Sequence, residues 1–139
     1  SAPPWPPQGL GLSAAGEPVP VGSWPAPSGE GVRIAAPLGP HGRHHVAIRD
    51  DGRPAVTIAW PLPSARTGEQ DLLLRLVTGH RHQARVHLAW LDRPIVGDAA
   101  YGGPISSSLR LHATVLDLSA ACPGEPRIHG PIPASWDAP

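Results

Sequence analysis

Proline constrains this chain more than any other residue type, because each one fixes φ and removes a backbone donor. Twenty occur in 139 residues, and eight of them fall in residues 1–30 with five Gly, two Glu and no basic residue. That stretch reads as a flexible or polyproline-like leader. Residues 136–139 read as a tail. A domain with a modest core is expected over residues 31–135.

Within that span the remaining prolines act as punctuation. HHVAIRDDGRPAVTIAW (44–60) reads as two strands flanking a turn. Val46 and Ile48 alternate before Asp51-Gly52, and Val56, Ile58 and Trp60 alternate after it. Pro61 and Pro63 stop the second strand. DLLLRLVT (71–78) predicts a third strand with Leu72, Leu74 and Leu76 on one face. HRHQARVHLAWL (80–91) has helical length, with Ala84, Leu88 and Leu91 along one side, and Pro94 cannot continue it. IVGDAAYGG suggests a short strand and a Gly-rich turn. LRLHATVLDL (109–118) reads mainly as strand. The sum is an α+β fold, a mostly antiparallel mixed sheet with one clear helix. Trp60, Trp90, Leu109, Leu111 and Leu116 are expected in the core, whereas Trp5, Trp24 and Trp136 could stitch the Pro-rich ends to the body.

All eleven basic residues are Arg. Between Val32 and His112, ten Arg face six acids, a local excess that suits a phosphate-facing surface. Arg33, Arg43, Arg49 and Arg53 could form a backbone-binding stripe. Cys122 is alone, which excludes a disulfide framework and a cysteine zinc site. No apolar run approaches a membrane span, so a cytoplasmic protein with no membrane partner is expected.

TGHRHQARVHLAWLDRPIVGDAAYGG (78–103) concentrates three His and three Arg between His80 and Ile95. As a metal site it is poor: His80 and His82 would point to different sides of a helix, and no HExxH or Cys partner exists. The stretch resembles the signature of RluA-type RNA pseudouridine synthases, which read TGRTHQIRVHLA, a turn, then PIxGDxxYG. DGRPAVT (51–57) resembles that family's upstream strand and LRLHATVLDL its downstream LHA segment, so the resemblance covers about residues 31–135. His80, Arg81 and Ala84 depart from the family's Arg, Thr and Ile. The family's catalytic HRLD segment and its Lys-x-Tyr segment appear nowhere in these 139 residues.

The resemblance implies part of the pseudouridine synthase fold, the C-terminal portion of its catalytic domain. It implies cofactor-free isomerisation of uridine in rRNA or tRNA, through an Asp that attacks or stabilises the sugar or base and a Tyr that helps remove a proton. Arg85 matches the Arg that pairs with that Asp, and with His80 and Arg81 it is the expected RNA contact. His82, Gln83, His87, Asp98 and Tyr101 are expected to support the site. With the family's Asp absent, no catalytic residue is assigned and little activity is expected of the chain alone. Arg85 should then face solvent, or find another acid, or take one from a second chain, because a buried lone guanidinium is costly. Asp50 and Asp51 are expected in a hairpin turn, and Asp98 as a cap on local backbone. Three alternatives stand beside an enzyme with no metal or cofactor. They are a non-catalytic RNA-binding module, a degenerate fragment with an exposed sheet edge, and a half enzyme complemented by an N-terminal half on another chain.

Overall fold

The computed structural model describes residues 27–63 and 68–111, and the backbone of 115–117 and 127–129. Its centre is a three-stranded antiparallel sheet in the order β1 (Val32–Ala35), β4 (Val56–Pro61), β5 (Leu72–Leu76). A second ribbon pairs β2 (Leu38–His41) with β3 (His45–Ile48), and a third pairs β6 (Val115–Asp117) with β7 (Arg127–His129). The one helix among the described residues, α1, runs Gln83–Trp90. The α+β class with antiparallel sheets is as expected.

Register explains which side chains meet. Val32 opposes Ala59 and Ile34 opposes Thr57, while Ala59 also opposes Leu74. Because side chains alternate between faces, Val32, Ile34, Thr57, Ala59, Leu72 and Leu74 share one face. There Val32, Ile34, Ala36, Leu88, Leu91 and Ile95 form the main core, flanked by Ile48, Leu72, Leu74 and Leu109. The opposite face carries Ile58, Trp60, Leu62 and Leu73. The central strand β4 is therefore buried on both sides, and its burial reads as a run rather than an alternation. Each large aliphatic residue so buried contributes about 1.5–3 kcal/mol.

The helix is a wedge. Ala84, Leu88 and Leu91 face the core as the spacing predicts, and Val86 packs on Leu38 and Ala55 beneath the β2–β3 ribbon. It starts at Gln83, later than the expected His80, because His82 takes a left-handed backbone (φ 57°). It stops in a Schellman motif. Asp92 is left-handed (φ 62°), its N–H donates to the Ala89 carbonyl, and the Arg93 N–H donates to the Leu88 carbonyl. Pro94 follows.

Several expectations fail. The strands around Asp51-Gly52 both exist but do not pair with each other: β3 pairs with β2, and β4 with β1 and β5. Asp50 and Asp51 do lie in a turn, closed by the Gly52 N–H to the Arg49 carbonyl, but it is a crossover turn and not a hairpin. IVGDAAYGG contains no strand. Gly97 and Gly102 are left-handed, and Ala99–Tyr101 forms a 3-10 turn. Residues 109–111 also lie outside any strand. Leu111, with no sheet to direct it, is 41% exposed. Trp90 is 43% exposed, because it falls two positions from Leu88 and so off the buried stripe. Trp60 is buried as expected. Trp5, Trp24, Trp136, Cys122 and the Leu116 side chain lie outside the described residues.

Candidate functional site

Two groups of side chains on α1 point in opposite senses. Gln83 and His87, one turn apart, face inward and are buried. Arg85, between them, faces the loop at 96–103.

The inward group forms a hydrogen-bond chain whose every proton can be placed. His87 Nε2 lies 2.9 Å from the Ala36 carbonyl, which only accepts, so that nitrogen carries the proton. Nδ1 must then accept, and the Thr57 hydroxyl donates to it over 2.7 Å. With its proton so used, Thr57 accepts from Gln83 Nε2 at 2.9 Å, and the second Nε2 proton goes to the Val56 carbonyl. Gln83 Oε1 accepts from the Thr78 hydroxyl at 2.7 Å and from the His80 N–H at 3.2 Å. Thr78 in turn accepts the Val56 N–H. Burial holds the His87 imidazole below the ordinary histidine range, against the pull of its bond to Ala36. The buried side-chain polar atoms among the described residues all have partners. This chain ties β1, β4, the β5 exit and α1 together.

The outward group surrounds Arg85. Its Nε donates to Asp98 Oδ2 at 3.1 Å and its Nη2 to Asp98 Oδ1 at 2.8 Å. The Asp98 side chain is 0% exposed and that of Arg85 22%. Hydrogen bonding to Asp98 raises the Arg85 pKa further, so the charge is permanent. Asp98 does not cap local backbone through its side chain as expected. Of the three fates expected for Arg85, the structure shows the second, pairing with another acid of the same chain. The guanidinium carbon also stands 5.1 Å from the centre of the Tyr101 ring. The Tyr101 hydroxyl accepts the Val46 N–H at 3.0 Å and shares a hydrogen bond with His82 Nδ1 at 2.8 Å. Burial, then the charges of Arg85 and Arg81, hold the His82 pKa below the ordinary histidine range. His45 and His82 meet the Tyr101 ring edge-on, at 5.6 Å and 5.8 Å.

The structure thus brings Arg85, Asp98, Tyr101 and His82 together and places Gln83 and His87 behind them. Arg81 is exposed at the helix start. His80 is turned aside, its Nε2–H donating to the Pro54 carbonyl at 2.8 Å. Asp51 pairs with Arg49 in the turn, at 2.9 Å. Thr57, Thr78 and His45 are site members that the sequence reading did not single out. Thr57 ends the DGRPAVT stretch, but nothing in a lone strand Thr marks its partner. Among the described residues no group of three or more His, Cys, Asp or Glu is placed to hold a metal ion, and no helix is long and apolar enough to cross a membrane.

No protein-family profile matches the chain. Individual relatives do. The ribosomal large subunit pseudouridine synthase D of Xanthomonas campestris is 40% identical over an alignment that covers 68% of this chain and 33% of the relative. The protein of that name from Escherichia coli is also 40% identical, over 68% of this chain and 34% of its own length. That from Vibrio vulnificus is 34% identical over 74% of this chain and 37% of its own. The chain spans about a third of the length of the relatives it matches. The matched stretch belongs to the RluA-type RNA pseudouridine synthase family, and the chain carries a partial segment of it.

Proposed function

We propose that this chain forms the arginine-bearing side of an RNA pseudouridine synthase site, acting on uridine in rRNA or tRNA. The observation that carries this reading is the placement of Arg85. It projects from the segment shared with the relatives, charged and partly exposed, with two N–H groups fixed by Asp98 and three left over. Arg81 adds a second positive charge at the same end of α1. Phosphodiesters are the natural partners of such groups, and guanidinium recognises them better than ammonium does.

Isomerisation needs a carboxylate that can reach the sugar or the base. Asp98 is unsuited to that task, because both its oxygens are engaged and its side chain is closed to solvent. The reacting carboxylate is therefore one other than Asp98, and a second chain can supply it. Residues 27–111 then contribute RNA contact and the Arg85 charge, and a binding module without turnover is the behaviour expected of the chain on its own.

The test uses RNA fragments labelled with tritium at C5 of uridine, because that hydrogen leaves when C5 becomes bonded to the sugar. The purified chain should bind such RNA at low salt, lose affinity steeply as salt rises, and release no tritium. Absence of binding at low salt removes the RNA reading. Robust tritium release by the chain alone removes the reading of a binding module that lacks its reacting acid.

A further inference from the structure

We infer that Asp98 is a positioning residue for RNA contact: the turn Asp98–Tyr101 locks the edge and plane of the Arg85 guanidinium, so that its outer fork is aimed at a phosphodiester. This rests on the RNA reading above and adds to it a residue that touches no RNA.

A guanidinium offers five N–H groups in a fixed planar array. Asp98 occupies the side fork, Nε and Nη2. One N–H on each terminal nitrogen remains at the far end, and these form a second fork matched to two oxygens of one phosphate. Holding the side fork therefore determines where the end fork points.

The holder is itself rigid. The Asp98 N–H donates to the Ile95 carbonyl at 3.0 Å, and its carbonyl accepts from Tyr101 at 3.2 Å and Gly103 at 2.8 Å. Gly97 and Gly103 flank this turn, and a Cβ on either would collide with backbone, at the Ser108 and Ile95 carbonyls. The carboxylate is closed to solvent, so water does not compete for it. Three residues on, Tyr101 sets its ring against the guanidinium and is anchored at its hydroxyl by Val46 and His82. Edge and plane of Arg85 are thus fixed by one short turn.

Charge and geometry make opposite predictions here, which lets one variant separate them. Asp98→Asn adds one net positive charge, and on charge alone RNA should bind more tightly. On positioning, Asn leaves Arg85 with a poor partner and the end fork wanders. We expect Asp98→Asn to weaken binding of a short uridine-rich single-stranded RNA about tenfold and to lower the slope of log affinity against log salt by about one. Arg85→Gln should do the same, and the double variant should lose little more. Nitrogen-15 spectra supply a readout independent of RNA. The Arg85 Nε–H should exchange slowly and its two terminal nitrogens should give separate signals, and both features should vanish in Asp98→Asn. Unchanged or tighter RNA binding by a folded Asp98→Asn chain overturns the proposal. If that variant does not fold, Arg85→Lys decides, because it keeps the charge and loses the fork; wild-type affinity there overturns the proposal equally. If the wild-type chain binds no RNA but the Arg85 signals behave as described, the RNA reading fails and the aimed contact fails with it, while the clamp stands. If it binds RNA but the signals are averaged, the clamp fails and the RNA reading survives.

Discussion

Thr57 on β4 donates its hydroxyl proton to His87 on α1 across 2.7 Å, in a site that neither residue shares with solvent. The bond joins positions 30 apart in sequence. Through the Ala36 carbonyl on the other ring nitrogen, it extends past β1 as well. The alternating pattern of HQARVH follows from this arrangement. On a helix, positions i and i+4 share a face, and i+2 lies nearly opposite. Gln83 and His87 can therefore brace α1 against the sheet only by turning Arg85 away from it.

Replacing His87 by Leu keeps the volume and removes both bonds. The Thr57 hydroxyl proton and the Ala36 carbonyl would then be buried without partners. We expect a loss of about 2–4 kcal/mol in unfolding free energy, measured by urea denaturation. His87→Gln, which can offer one donor and one acceptor, should lose less. A His87→Leu chain as stable as wild type would show that the chain of bonds is not a brace.

The same residue gives stability a pH dependence of definite sign. Burial depresses the folded pKa of His87 below its ordinary value of 6.5. Between those two values the unfolded chain holds a proton that the folded chain does not, so stability rises with pH through that window. It is whole above about 6.5 and is lost as pH falls toward the depressed value. His82 shifts in the same direction and adds to the slope. Urea midpoints taken from about pH 8 down to pH 5 should fall on the acid side, and less so in His87→Gln. Parallel profiles for the two chains would remove His87 as the source.

Much of this arrangement is legible in the sequence, and what is not has physical causes. The stripe Ala84, Leu88, Leu91 marks a buried helix face because apolar side chains at that spacing have few other options. Alternation marks β3 and β4 as strands but carries no information about partners, so the pairing of β3 with β2 was hidden. Gly39 and Pro40 hid β2 itself, since both are poor strand residues. The ion pair of Arg85 with Asp98 spans 13 positions through an irregular loop. A GD pair in a loop reads as a turn cap, and only the folded path of 92–98 carries the carboxylate beneath the helix.

Gln83→Glu is nearly isosteric, but it exchanges a two-proton donor for an acceptor. The new oxygen would face the Val56 carbonyl and the Thr57 hydroxyl, each 2.9 Å from the present nitrogen. In a position that is 2% exposed, this should cost about 3 kcal/mol at neutral pH. Protonating the carboxyl restores one donor, so the deficit relative to wild type should shrink as pH falls. That trend is opposite to the wild-type slope. Denaturation of both chains at about pH 7 and pH 5 checks it, and a deficit that stays constant or grows in acid would contradict the proton placement given for Gln83.

Gly97 and Gly102 have nearly the same backbone angle, φ 85° and 84°, but very different surroundings. At Gly102 an added Cβ meets nothing within 4 Å, so Gly102→Ala should cost only the left-handed penalty of about 1–2 kcal/mol. At Gly97 the Cβ would run into the Ser108 carbonyl and crowd the Leu109 backbone, neither of which is a flexible side-chain end. Relieving that clash moves the turn beside it, and Asp98 with it. Gly97→Ala should therefore exceed Gly102→Ala by at least about 2 kcal/mol in thermal unfolding. It should also abolish the slow exchange expected of the Arg85 Nε–H, while Gly102→Ala leaves that signal in place. Equal stability losses, or an undisturbed Arg85 signal in Gly97→Ala, would mean that the turn holding Asp98 is softer than its hydrogen bonds imply.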